Sequence, residues 1–342
     1  MSFSHLLHNA TATIVDAVDR TDDQGHDVLV VASKLSLRYD LAGKLRLSAR
    51  PLRHTATADG VGGVRFPHDF PLERPGTDIL LVGTCLPGRI SATTRLISFS
   101  VGPMKKTIRV YGPRVYMKSP LGLRPGPPAP IVATPLRFDH VFGGYEGDEV
   151  EARNPIGCGF TKNPDSLVGK EAHRLEPADL STLKPTSGCF APIDCNWEPR
   201  RSLVGTYDKN WRDNRSPIPP KDRDPAYHSD ALPEQRSSRP LVTPFVVELG
   251  GIYNEDTLRL HIPEYRVVLT TDIDRRDPVT SEAPLVRVLV DTDDRMIEFL
   301  YVAQRRLPRK WEALRAIRMT TLSSLPDEIK YHEGPSLVEG RT

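Results

Sequence analysis

The chain has 342 residues but only four cysteines: Cys85, Cys158, Cys189 and Cys195. None stands in a Cys-x-x-Cys pair, so the usual thiolate zinc and redox spacings are missing. The ten histidines show no helical His-x-x-x-His pair, and we expect no metal and no cofactor. Asp291, Asp293 and Asp294 supply part of a calcium loop but lack its glycine and distant bidentate glutamate. A solvated hairpin turn is the expectation there. There is no Gly-x-Ser-x-Gly elbow, no phosphate-binding loop and no dinucleotide fingerprint. Gly60 to Gly63 lacks the flanking strand and helix of such a fingerprint and reads as a flexible loop. No apolar run approaches the ~20 residues that span a bilayer. Met1 to His5 lacks the basic and apolar regions of a signal peptide. We therefore expect a cytoplasmic protein with no membrane partner and reduced, mostly structural thiols. A Cys189–Cys195 disulfide is sterically feasible but disfavoured in that compartment. Neither charge sign dominates: Lys+Arg is 46 and Asp+Glu is 44, a net charge of +2. That balance argues against a nucleic-acid partner, which needs a clustered basic face. No repeat recurs at a fixed period.

What the chain has is proline, 32 residues of it, and a hydrophobic share of 38%. Proline suits turns, loops and edge strands, whereas helix interiors exclude it. The expected fold is mainly β: an antiparallel sandwich or barrel-like body with long ordered loops and a short C-terminal helix. We expect one β-rich domain over residues 1–310. Its N-terminal strands occupy 1–119, a loop-rich middle 120–240 and the C-terminal strands 241–310. A short helix and tail follow at 311–342.

Several strands are legible. Thr11 to Val18 mixes β-branched and polar residues. Val28 to Tyr39 begins as a continuous apolar run, as in a strand covered on both faces. It then alternates Leu35, Leu37 and Tyr39 against Lys34, Ser36 and Arg38, as in a strand with one wet face. Ala42-Gly43-Lys44 turns it back into Leu45 to Leu47. Ile79 to Pro87, Arg95 to Val101 and Lys105 to Tyr116 follow. In the last of these, Ile108, Val110 and Gly112 lie opposite Thr107, Arg109 and Tyr111. Past Pro240 the expected strands are Leu241 to Leu249, Thr257 to Ile262, Arg266 to Thr271, Val286 to Asp291 and Met296 to Ala303. The sharpest hairpin signal folds about Asp293-Asp294. Trp311 to Met319 has apolar residues three apart and predicts a helix, with a polar, partly flexible tail from Leu325.

The middle resists that reading. Pro120 to Pro130 is an extended connector, either a hinge or an arm on the surface. Arg212 to Pro240 is a polar excursion with little helix. Between them stand three dense stretches: Phe138 to Gly144, Asn154 to Phe160, and Gly205 to Trp211. Asp139 and His140 are adjacent, but strand neighbours point to opposite faces. The aromatics Phe138, Phe142, Trp197, Tyr207 and Trp211 suit a satellite core under long loops. They also suit a binding face, because Trp, Tyr and Arg dominate interface hot spots. The candidate partner-binding or loop-shaping residues are Phe142, Gly143, Gly144, Asn154, Pro155, Trp197, Arg201, Tyr207, Asp208 and Trp211.

These residues also carry a resemblance. The chain is similar to the bacterial proteins grouped as domain of unknown function 2169. The shared features are Pro75 to Gly83, a Lys…Val-x-Gly-x-Arg strand at Lys106 to Arg114, Phe142-Gly143-Gly144, Asn154 to Gly157, and Gly205 to Trp211. Two stretches depart from the family pattern: Lys221 to Asp224 and Ala231 to Gln235. The resemblance implies a cytoplasmic adaptor or chaperone and no enzymatic activity. Its implied partners are a secreted toxic effector of type VI secretion, bound through a PAAR-like region, and the VgrG spike. Two alternatives stand beside it. One is a hydrolase of cell-envelope material using Asp139, His140 or Asp208. The other is a structural part of the secretion apparatus.

Overall fold

The computed structural model describes residues 3–88, 91–120, 122–179, 187–253, 257–307 and 313–330. The fold is mainly β, built on three principal sheets, none of which closes into a barrel. The largest has six strands. Its spine is Ile14–Thr21, Asp27–Tyr39, Met296–Arg306, Leu285–Asp291 and Asp78–Val82, with Leu45–Ser48 beside the end of Asp27–Tyr39. The hairpin about Asp293-Asp294 forms the middle of this sheet. Asp78–Val82 joins it in parallel. All five of its residues are buried, as expected of a parallel strand covered on both faces.

A five-strand antiparallel sheet runs Leu175–Pro177, Met104–Tyr111, Thr94–Val101, Phe245–Gly250, Thr257–Ile262. Alternation decides how it packs. Ile108 and Val110 are buried while Thr107, Arg109 and Tyr111 are half-exposed. The inward residues of this sheet, among them Phe99, Val247 and Leu260, share one core with Leu35, Leu37, Phe299 and Val290 of the six-strand sheet. Two sheets sealed face to face by alternating apolar residues make the sandwich. A four-strand sheet of Leu7–Asn9, Leu314–Thr321, Val267–Ile273 and Val279–Ala283 adds Leu269, Ile317 and Met319 to the same core.

Four expectations are corrected here. Leu314–Thr321 is a strand and not part of a helix; Trp311 lies outside the described residues. The short C-terminal helix is Asp327–Lys330, and Leu325 before it is buried, so the tail begins as part of the body. Lys34 and Ser36 do not face water: both are 1% exposed. Gly60 to Gly63 is a defined turn in which the Asp59 carboxylate accepts the N–H groups of Val61 and Gly63. All four cysteines are free thiols.

The second face of the six-strand sheet is buried too. Two small apolar clusters cover it, Val28, Val30, Phe70 and Leu300 in one and Leu80, Leu289 and Ala231 in the other, with a charged network beside them. Asp69 meets Lys34 and Arg287, each at 2.8 Å. Arg287 also reaches Asp230 at 2.7 Å, and Arg74 joins Asp230 to Asp78. Burial alone drives the Asp69 carboxyl up, but Arg287, Lys34 and Arg53 outweigh it and hold it below its usual range. The network pins the 50–74 and 228–237 segments onto the sheet. Asp230 and Gln235 lie in what reads as a polar excursion, yet both are buried. The connector after Pro120 is an arm on the surface: Gly122–Pro125 pairs back onto Tyr116–Ser119.

Candidate functional site

Two of the dense stretches are halves of one knot. Phe138–His140 is a single 3-10 turn, not a strand, and leads into Phe142-Gly143. Asn154 is 4% exposed and sits inside the bend. Its Nδ2 donates to the carbonyls of Phe138 at 2.9 Å and Phe142 at 3.0 Å. The Gly144 N–H returns a bond to the Asn154 carbonyl at 2.8 Å. Phe142-Gly143 then pairs in parallel with Cys158-Gly159.

Glycine is required where the two segments cross. A Cβ on Gly143 (φ +155°) would stand 2.2 Å from the Asn154 carbonyl oxygen, and one on Gly157 would stand 2.6 Å from the Val141 oxygen. Backbone cannot yield as a flexible side chain does. Pro155, half-buried, continues the Asn154 turn. Trp197 is buried and sets its ring edge-on to Phe138, centroids 5.3 Å apart.

The knot forms one wall of a cleft of about 980 Å³. Its apolar lining includes Phe138, Phe142, Leu175, Pro199 and Leu232. A second wall carries a chain that the sequence reading missed. The buried Tyr116 hydroxyl bonds His173 Nδ1 at 2.8 Å, and His173 Nε2 bonds Glu176 at 2.9 Å. Arg114 donates to the same carboxylate and to the His173 carbonyl. Burial pushes the Glu176 carboxyl up, but the bonds from His173 and Arg114 outweigh it and bring it down to about 2. Burial pushes the Tyr116 phenol up to about 12. At neutral pH this wall is therefore a protonated phenol and a clamped carboxylate.

A third wall rests on Lys106. Its ammonium donates to the Cys189 carbonyl at 2.6 Å, to Glu234 at 3.1 Å and to Gln235. Gln235 in turn donates to the carbonyls of Ile79 and Phe190. Burial holds the Lys106 ammonium below its usual pKa, opposed by Glu234. The clamp fixes Leu232 to Glu234 at the cleft edge.

The third dense stretch does not join the knot. Asp208 caps the short helix Lys209–Asn214 by accepting the Trp211 N–H at 2.7 Å. Trp211 Nε1 donates to the Ile218 carbonyl at 2.8 Å, and Tyr207, 46% exposed, sets its ring against Trp211. Arg215 and Arg223 tie this unit to Asp23 in the turn between the first two long strands. Arg201 is exposed on its own 3-10 turn. Of the candidate residues, then, Phe142, Gly143, Gly144 and Asn154 meet at the cleft with Pro155 and Trp197 behind them. Tyr207, Asp208 and Trp211 form a separate unit.

A family model described as an uncharacterized protein conserved in bacteria (DUF2169) matches residues 24–301. The chain belongs to the DUF2169 family. No curated protein and no solved structure matches it. The matched span contains all three cleft walls and the Gly205–Trp211 unit. The other hinted chemistry is dispersed. Asp139 is held by Arg137 at 2.8 Å, Asp208 is spent on its cap, and burial lowers the His140 pKa. Among the described residues no hydrogen bond joins any two of these three, and no group of three or more potential metal-binding side chains occurs. No helix among them is long and apolar enough to cross a membrane.

A sharper reading of Lys106 was open in the sequence. A lysine at an inward position of a strand that otherwise buries Ile108 and Val110 must find an acceptor. The Tyr116, His173 and Glu176 chain left no such signal, because Tyr116 lies 57 residues from His173 and only folding brings it to the local His173 and Glu176 pair.

Proposed function

We propose that this DUF2169 protein is a cytoplasmic adaptor or chaperone that binds a type VI secretion effector. The contact runs through a PAAR-like region of the effector, and binding promotes loading onto the VgrG spike. The cleft carries this reading. It is a large, mainly apolar recess whose walls are held by buried clamps, and such recesses favour binding of a partner's side chains. Walls fixed before binding cost less ordering on association. A partner that binds only the folded effector also raises the effector's apparent stability.

The test is a pull-down of the tagged chain with the effector and VgrG encoded nearest its gene. Retention of the effector, and a rise in its unfolding temperature in the complex, is the expected result. Failure to retain either protein overturns the proposal.

One observation favours a second reading, a hydrolase. His173 and Glu176 stand within hydrogen-bond reach at a cleft wall. A phenol held protonated is a weak nucleophile, which counts against it. Release of fragments from cell-envelope material, abolished by His173→Asn, would establish the hydrolase instead.

A further inference from the structure

We propose that the cleft receives a peptide segment of the bound protein in which an apolar side chain stands beside an arginine or lysine. The inference rests on the adaptor reading in naming the occupant as part of the effector. Its physical basis is the balance of charge around an apolar floor.

Four glutamates border the cleft: Glu151, Glu176, Glu198 and Glu234. Two are neutralised from within, Glu176 by Arg114 and Glu234 by Lys106. The other two have no cationic partner among the described residues. The Glu151 carboxylate accepts only the Arg153 N–H, at 3.3 Å. Glu198 accepts the Ser202 hydroxyl at 2.6 Å and its N–H at 3.3 Å. Arg153 is exposed and forms no ion pair with either.

The two carboxylates belong to segments joined directly, since the Glu198 N–H donates to the Ala152 carbonyl at 2.8 Å. Both are half-buried, so their attraction for an entering cation is less screened than on an open surface. A guanidinium or ammonium entering beside them would give them the cationic partner they lack. Arginine adds a fork of donors matched to carboxylate oxygens.

The apolar part of the segment has its own receptor. Phe142 is 47% exposed although its ring stacks edge-on against His173 at 5.9 Å. Phe138 and Leu232 lie on the same floor. Arg153 lines the same cleft as a single cation, unpaired among the described residues. An acidic segment would therefore meet two unpaired carboxylates against one guanidinium, and the excess of carboxylate favours a basic occupant.

The test selects a random short-peptide library, displayed on phage, against the wild-type chain, the Glu151→Gln/Glu198→Gln double variant and Phe142→Ala. None of these positions is fully buried, and circular dichroism checks that each variant keeps its strands. Wild type should enrich peptides with Arg or Lys beside Leu, Ile or Phe. The double variant should lose the basic preference and bind a wild-type-selected peptide about tenfold more weakly, with a flatter salt dependence. Phe142→Ala should lose the apolar preference. No enrichment, enrichment without a basic residue, or an unchanged pool from the double variant overturns the inference.

The pull-down separates the two proposals. If the double variant retains the effector as well as wild type does, the cleft inference falls and the adaptor reading stands. If basic peptides are enriched but no effector is retained, the adaptor reading falls and the cleft remains a peptide site.

Discussion

The Phe142–Gly144 knot and the Gly205–Trp211 unit are both dense stretches within the family-matched span, yet they are held in opposite ways. The knot is backbone crossing backbone, locked by a buried asparagine and by glycines that leave no room for a side chain. The Gly205–Trp211 unit is a capped helical turn tied by side chains to the Asp23 turn, with Tyr207 half-exposed. A crossing of main chains cannot relax, whereas a side-chain tie is loosened one bond at a time. The wall of the cleft should therefore be brittle and the Gly205–Trp211 unit tolerant.

Gly143→Ala is the sharpest way to break that contrast. Its Cβ would lie 2.2 Å from a backbone oxygen. We expect a loss of about 4 kcal/mol, at the extreme end of single substitutions. Urea unfolding measures it, and a loss below about 1 kcal/mol would show that the knot can relax. Lys106→Met comes next. It leaves Glu234 without its cation and removes the donor shared by Gln235 and the Cys189 carbonyl. Removing one partner of a buried pair costs about 3 kcal/mol. Equal urea midpoints for variant and wild type would mean that the third wall does not depend on the clamp.

How much of this was legible follows from which interactions are local. Thr257–Ile262, the hairpin about Asp293-Asp294 and the inward set Ile108 and Val110 could be read because alternation and turn chemistry act within a few residues. Leu314–Thr321 was misread for a definite reason. Asp272 pairs with Ala316 and Ile273 with Leu314, so Arg315 is extra. A bulge shifts the alternation by one residue. The spacing from Leu314 to Ile317 thus becomes three and mimics a helix.

Lys34 and Ser36 alternate as a wet face should, but Asp69, 35 residues beyond Lys34, brings the charge that buries them. No local pattern carries that information. The cleft has the same cause: Arg114 and Tyr116 reach the His173–Glu176 pair, 57 to 62 residues further along the chain, only after folding. The dense loops were legible as ordered, but their division into two units was not.

Acid probes both the cleft wall and the charged face of the sheet. Glu176 titrates at about 2 when folded against an ordinary 4.5. A depressed carboxyl contributes stability above its unfolded pKa and loses it as pH falls through the folded one. The cleft wall should weaken between about pH 4.5 and pH 2. His68, beside the charged network, is lowered by burial from 6.5 to about 4. The unfolded chain binds that proton first, so this contribution declines earlier, from about pH 6.5 to pH 4. Thermal unfolding across both windows should show two inflections. Glu176→Gln should make the lower limb shallower and spare the upper, the remaining acid loss coming from Asp69, Asp230 and Glu234, whose carboxyls are also held low. An unchanged lower limb would mean that the Arg114 and His173 bonds do not stabilise the folded wall.

The smallest effect belongs to the other unit. Asp208→Ala removes the acceptor for the Trp211 N–H at the start of a helix of only six residues. Cap removal costs about 1 kcal/mol, and here water can reach the freed N–H because the site is exposed. The Tyr207 and Trp211 rings and the Trp211 bond to Ile218 remain, so the turn should survive as a unit. Hydrogen exchange should rise at residues 208–214 while the amides of Gly144 and Asn154 keep their protection. If those two amides lose protection as well, the knot and the Gly205–Trp211 unit unfold together, and the division between a brittle cleft wall and a tolerant outer unit is wrong.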